Sequence, residues 1–189
     1  MPVSRICSDR TSCPSSHGFA NKVARAFWGI VWMFLIRPTP SPCHGWRIFW
    51  YRLFGANIGR GVKIMPSVQC WAPWQVRIGD HTSVSHGVDL YAVDRIEIGA
   101  HVTISQRAFI CTASHDIDHP NMPLVTAPVR ILNGAWICAE AYVHPGVTVG
   151  VDAVVGVRSV VLKDVESANV VSGHPAVFIR MRNVGDAPV

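Results

Sequence analysis

Among the nine histidines of this chain, His115 has the setting best suited to chemistry. It stands in Cys111-Thr112-Ala113-Ser114-His115-Asp116, where a regular apolar pattern stops and a polar insertion begins. Loops that leave a rigid scaffold carry function more often than its flat faces do. A neutral imidazole at such a place can take the proton of a hydroxyl or an amine as that group attacks a thioester. The oxyanion formed in that attack would need a nearby donor, most simply a backbone N–H. Asp116, next in the chain, and Asp94, twenty residues before Ser114, are the carboxylates placed to orient the ring.

The elements that must hold His115 follow from a period of six. Ile131, Ile137, Val143, Val149, Val155 and Val161 are each six residues apart. Small residues sit four beyond most of them, at Ala135, Ala141, Val147, Ala153 and Ser159. A helix would show periods of three and four, and a simple strand a period of two. A sustained six is the signature of a parallel β-helix, each hexad forming one flat side of a triangular coil. Upstream, Ile58, Ile64, Cys70 and Val76 continue the pattern, then Ile78, Val84, Leu90 and Ile96, then Ile98, Ile104 and Ile110. The phase slips by two between series, so Ile58, Ile78 and Ile98 repeat at twenty. Val129 and Ile131 resume the roles of Ile96 and Ile98 after 33 residues. The excess of 13 places an inserted loop at Asp116–Pro128, directly after His115. The predicted fold class is mainly β, a left-handed parallel β-helix over residues 56–172.

Composition agrees. Hydrophobic residues make up 49% of the 189 and charged residues only 15%, as expected where parallel strands are buried and stacked. The formal charge of +5 is modest and scattered except near the N-terminus. There is no basic aromatic surface of the nucleic-acid-binding kind, so no nucleic acid is expected as a partner. The six cysteines form no CxxC pair. Cys70, Cys111 and Cys138 read as small apolar residues in a reducing compartment, which places the chain in the cytoplasm. Cys7 and Cys13 fall in a Ser- and Pro-rich leader, residues 1–20, where a disulfide stays open.

Residues 21–55 precede the coil. Asn21 can cap a helix that runs to about Arg37 and stops before Pro38, Pro40 and Pro42. One face of it carries Val23, Phe27, Ile30 and Phe34, another Trp28, Trp32 and Ile36. Its all-round apolar run, Ala26–Ile36, reaches only about 16 Å and does not span a bilayer. No A-x-A cleavage site follows, which argues against a secretion signal. A second helix at about Gly45–Phe54 carries Trp46, Phe49, Trp50 and Leu53 as its apolar stripe, with Arg47 and Arg52 polar and Gly55 as its stop. Two readings stay open: the helices cap the end of the β-helix, or they make peripheral contact with the cytoplasmic face of a membrane. After the coil, Gly173-His174-Pro175-Ala176 breaks the phase and opens a tail, residues 173–189.

Several stretches carry a resemblance. Gly134-Ala135-Trp136-Ile137, Pro145-Gly146-Val147-Thr148-Val149-Gly150, Ser159-Val160-Val161-Leu162-Lys163-Asp164, Ser114-His115-Asp116 and Gly173-His174-Pro175-Ala176 resemble the hexapeptide-repeat acetyltransferases, in the branch of the colanic acid biosynthesis enzymes. The resemblance covers about Phe19 to Arg182 and implies a homotrimer that moves acetyl from acetyl-CoA to a sugar hydroxyl. That acceptor would be a sugar or a lipid-linked oligosaccharide in exopolysaccharide assembly. By the resemblance His115 is the catalytic base. Trp136 lines the CoA channel between subunits, and Ala139, Val157, Leu162 and Lys163 contact CoA. Asp89 falls where many relatives carry an acceptor-binding Asn, and a carboxylate cannot donate a hydrogen bond as an amide does.

A metal-dependent reading is the rival. Other β-helix trimers are zinc enzymes of the carbonic anhydrase kind, with three histidines at a subunit boundary. His81 and His101 each lie three beyond an inward Ile, whereas His115 lies five beyond Ile110 and does not share their column. His115 and His119 can pair through the loop, but two histidines make a poor closed site. No metal is expected. A β-helix scaffold without catalysis is the remaining alternative.

Overall fold

The computed structural model describes residues 18–183. The leader through residue 17, with Cys7 and Cys13, and residues 184–189 of the tail lie outside the described residues.

The period of six becomes a parallel β-helix of about 6 turns. Its inward residues stack in register: Ile58 beside Ile78, Ile78 beside Ile98, Ile98 beside Ile131, and Ile131 beside Val149. All of them are buried, as are Ala135, Ala141, Val147, Ala153 and Ser159 at the corners. Three parallel sheets form the sides. The first side contains Asn57–Ile58, Val76–Ile78, Ile96–Ile98, Val129–Ile131 and Thr148–Val149. The second contains Lys63–Ile64, Ser83–Val84, Thr103–Ile104, Trp136–Ile137, Val154–Val155 and Asn169–Gly173. The third contains Gln69–Cys70, Asp89–Tyr91, Phe109–Cys111, Tyr142–Val143 and Val160–Val161. Rungs stack so closely where the first side ends that a Cβ on Gly79 would lie 2.6 Å from the Ala100 nitrogen. That contact explains the recurring Ile-Gly pair. The tail begins as a strand, since Ala176–Met181 folds back antiparallel on Asn169–Gly173.

The helices differ from expectation. The first, α1 (Phe19–Val31), starts two residues before Asn21 and has Gly18 as its N-cap. The Asn21 side chain instead accepts from Arg25. A π-helical turn, Trp32–Ile36, continues it. The Trp28, Trp32 and Ile36 face packs on the first coil: the indoles of Trp28 and Trp32 donate to the carbonyls of Cys70 and Val68, each at 2.7 Å. The Phe27, Ile30 and Phe34 face is exposed.

The second helix, α2 (His44–Leu53), keeps Trp50 half-buried against the core and Arg52 exposed, as expected, but departs from the pattern elsewhere. Trp46, Phe49 and Leu53 are exposed, while Arg47 and Tyr51 are fully buried. Among the described residues Arg47 has no carboxylate partner. Its guanidinium donates to the carbonyls of Ile64 (2.7 Å), Pro40 (2.9 Å) and Ser41 and to the Thr39 hydroxyl (2.8 Å). The Pro40 carbonyl also accepts the Cys43 N–H at 3.1 Å, whereas Ser41 in the turn and Ile64 on the first rung offer carbonyls that this one long cation meets. Helical periodicity ranks Arg47 as polar and therefore outward; these carbonyls reverse that. Tyr51 packs edge-on to Trp28 at 4.9 Å, and among the described residues its hydroxyl has no hydrogen-bond partner.

Opposite outcomes are expected for the two buried polar side chains. Arg47→Met takes the donor from the buried Ile64 carbonyl and from the Pro40 and Ser41 carbonyls, and should lower the unfolding free energy by about 3 kcal/mol. Tyr51→Phe removes an unpartnered hydroxyl and should raise it by about 1 kcal/mol. Urea denaturation of both variants checks this.

Candidate active site

The insertion leaves the coil at the end of the third side. Thr112 pins the departure point: its hydroxyl donates to the Tyr91 carbonyl at 2.7 Å and accepts the Asp94 N–H at 2.9 Å. The chain then runs out as an antiparallel ribbon, Ala113–His115 paired with Leu124–Thr126. The Ala127 N–H closes it on the Thr112 carbonyl at 3.0 Å. The excursion therefore begins before Asp116, and it is a hairpin rather than an irregular loop.

At the tip, Met122 adopts a left-handed φ of 43° while its N–H donates to the His119 carbonyl at 2.9 Å. This conformation is uncommon for a residue with a side chain. Met122 thereby presents its carbonyl oxygen to His115, whose Nδ1 lies 2.7 Å away. A carbonyl only accepts, so Nδ1 carries the hydrogen and Nε2 keeps its lone pair. Among the described residues nothing bonds Nε2, and the His115 side chain is exposed. The ring is held in the tautomer a general base requires.

Neither carboxylate expected to orient the ring does so. Asp116 accepts the Asp118 N–H, and Asp94 accepts the Arg95 N–H. The Met122 carbonyl left no mark in the sequence, because every residue type supplies one.

The remaining candidates fall on two edges of the triangular coil. Leu162 and Lys163 follow the last strand of the third side and are exposed at the corner the hairpin leaves from. Asp89 lies on the third side, one rung before Phe109–Cys111, in register with Gln69 and Phe109. It is half-buried, and among the described residues no donor reaches its carboxylate. Burial pushes its pKa up.

Trp136 lies on the second side, in register with Thr103 and Val154. Its ring is 45% exposed, and its indole N–H donates to the Ser105 hydroxyl at 2.9 Å. Ala139 and Val157 occupy successive rungs of the corner between the second and third sides, where the Arg158 N–H donates to the Ala139 carbonyl at 2.9 Å. Glu140 clamps that corner by bonding both Arg158 and Arg107, which hold its carboxyl below the usual range. Ala139 also lines an open cavity of about 510 Å³ with Ser67, His86, Gly87, Gln106 and Arg107. Topology thus groups His115 with Leu162 and Lys163 on one edge, and Trp136 with Ala139 and Val157 about another. Ser105 and Glu140 support the second group, and hexad periodicity gives no signal for either, since both sit at outward positions.

His81 and His101 stack face to face at 5.3 Å, apart from His115 as their column requires. Among the described residues, no group of three His, Cys, Asp or Glu could hold a metal ion. Cys43, Cys70, Cys111 and Cys138 are free thiols.

The chain is 39% identical over 171 residues to the colanic acid biosynthesis acetyltransferase WcaF of Escherichia coli, across 90% of this chain and 94% of that one. It is 27% identical over 134 residues to the galactoside O-acetyltransferase of the same organism, across 69% and 66%. A hexapeptide-repeat acetyltransferase of Vibrio cholerae, solved with acetyl coenzyme A, shares the fold at a TM-score of 0.81 and 26% identity, covering 89% of this chain and 92% of that one. No family model matches the sequence.

Asp89 gives this arrangement a pH signature. With its pKa raised, the native state holds the proton more tightly than the unfolded chain does, so its cost to stability grows as pH rises above the ordinary value of 3.8. Asp89→Asn should raise the melting temperature at neutral pH, and the gain should vanish as the pH approaches that value. Thermal melts of both proteins across this range test it.

Proposed function

From the premise that this chain belongs to the hexapeptide-repeat acetyltransferases, we propose that it moves the acetyl group of acetyl-CoA to a sugar hydroxyl during polysaccharide assembly. The observation that carries the reading is the 2.7 Å bond from His115 Nδ1 to the Met122 carbonyl, which leaves Nε2 as a ready base. Nε2 takes the proton of the acceptor hydroxyl as its oxygen attacks the thioester carbonyl. The tetrahedral intermediate collapses, the carbon–sulfur bond breaks, and the imidazolium returns the proton to the departing thiolate. The products are an O-acetyl sugar and free CoA. Holding thioester and hydroxyl in line supplies much of the acceleration.

The division of candidates between two edges supports a shared site. A second copy would bring its Trp136, Ala139 and Val157 edge against the His115, Leu162 and Lys163 edge of the first. Such a contact is head-to-tail, and on a three-sided coil it closes after three copies into a homotrimer. Lys163 offers a cation to the phosphates of CoA, and Trp136 an exposed ring to its extended arm. Asp89, lacking an internal donor, can accept hydrogen bonds from the hydroxyls of a sugar. Lipid-linked oligosaccharides fit that requirement as free sugars do. The same family of reactions uses a soluble donor, which suits a cytoplasmic site.

His115→Ala should lower acetyl transfer by about 10³-fold while the sedimentation profile stays unchanged. Met122→Pro, which fixes φ near −65° and cannot keep the carbonyl in place, should lower kcat by roughly 10²-fold with little change in thermal melting. Acetyl-CoA turnover against a panel of free and lipid-linked sugars reads both effects. Full turnover by the His115 variant would refute the role.

A further inference from the structure

Charge is divided along the chain in a way the transfer reaction does not use. Residues 18–79 contain eight Lys and Arg and no Asp or Glu. Residues 80–189 contain seven Lys and Arg against eleven Asp and Glu. On the coil, Arg77, Arg95 and Arg130 lie within 4.0 Å of Glu97, and Arg107 and Arg158 pair with Glu140. Near the helical end, Lys22, Arg37, Arg52, Arg60 and Lys63 are exposed, and among the described residues none of them forms an ion pair.

The same end carries two rows of large apolar side chains left outside. Phe27, Ile30 and Phe34 recur at helical spacing and are 56–67% exposed. Trp46, Phe49 and Leu53 do so on α2 at 47–62%. The two rows adjoin, since the Trp46 indole donates to the Leu35 carbonyl at 2.7 Å. We propose that this helical cap is a docking face for an anionic lipid bilayer, into whose interface Phe27, Ile30, Phe34, Trp46, Phe49 and Leu53 insert while the unpaired cations meet the headgroups.

Two arguments select that occupant. The helical run Phe19–Ile36 is longer than the Ala26–Ile36 stretch that periodicity marks out and, by length and composition alone, could cross a membrane, at about 27 Å for 1.5 Å per residue. Yet its Trp28 and Trp32 indoles are bonded to the Cys70 and Val68 carbonyls of the first coil and Ile36 is fully buried, so one face alone meets lipid and the helix lies on the bilayer. A second copy docking the same face would set like charges against each other, because the helices and first coil, residues 18–79, supply no carboxylate, and Asp80 on the next rung is bonded to the Arg60 N–H at 2.7 Å. Anionic headgroups answer those charges. The inference does not depend on the transfer chemistry.

Flotation of the purified full chain with vesicles tests it. The protein should float with phosphatidylethanolamine–phosphatidylglycerol vesicles and about tenfold less with phosphatidylcholine vesicles. Salt should weaken the binding, and an alkaline carbonate wash should release the protein. Phe27→Glu/Phe34→Glu, at exposed positions, should lower vesicle binding about tenfold with acetyl transfer to a soluble acceptor and thermal melting unchanged. The inference is overturned if the full chain ignores both vesicle types, if the double variant binds as well as the parent, or if the bound protein resists carbonate. A double variant that instead changes the sedimenting mass would assign the face to another copy of the chain and also overturn it.

Discussion

Everything in this molecule depends on the stacking of branched side chains inside a narrow three-sided coil. Ile58, Ile78, Ile98, Ile131 and Val149 lie one above another, and the parallel ladders between rungs hold them there. A one-residue slip would turn each of them outward, so the register admits no drift. Close packing also forbids a Cβ where the first side ends, as at Gly79. The interior is therefore fully assigned to packing, and outward and corner positions are left to carry chemistry. Such a stack is stable rung upon rung and leaves backbone and core exposed at its ends. Here α1 and α2 cover the first rung, and the antiparallel strand Ala176–Met181 lies along the last part of the second side.

Chemistry enters where the repeat is broken. A regular coil offers flat faces on which no side chain is held at an angle to its neighbours. The hairpin after Thr112 changes that, because it carries His115 away from the side and returns Met122 to meet it. The left-handed backbone at Met122 is local strain of the kind that persists where the surroundings over-determine it. Here the Thr112 anchor and the strand pairing on both sides of the tip do so. Positioning by a peptide carbonyl fixes the tautomer without placing a charged group beside the ring.

The two halves of the charge distribution follow different physics. On the coil, arginines and glutamates recur at adjacent rungs and neutralise one another, Glu97 with Arg77, Arg95 and Arg130, Glu140 with Arg107 and Arg158. At the helical end, Arg47 is held by carbonyls and the Thr39 hydroxyl, and among the described residues the exposed cations form no ion pair. Burying Arg47 turns α2 so that Trp46, Phe49 and Leu53 face outward. One buried guanidinium thus decides which surface the cap presents.

The sequence by itself determined the coil. Inward residues, the phase slips, the 33-residue gap and the place of His115 beside it were all legible, because a period of six that must fill a narrow core has no second solution. What it could not determine were contacts made by groups every residue shares, or by residues far apart in the chain. The Met122 carbonyl on His115 is a backbone group and has no letter. Arg47 reads as polar in any helical wheel, and only the carbonyls of the preceding turn and of Ile64 on the first rung draw it inside. The outward turn of Trp46, Phe49 and Leu53 accompanies it. Periodicity reports which residues face the core; only the tertiary structure decides which outward residues, and which backbone atoms, come to face each other.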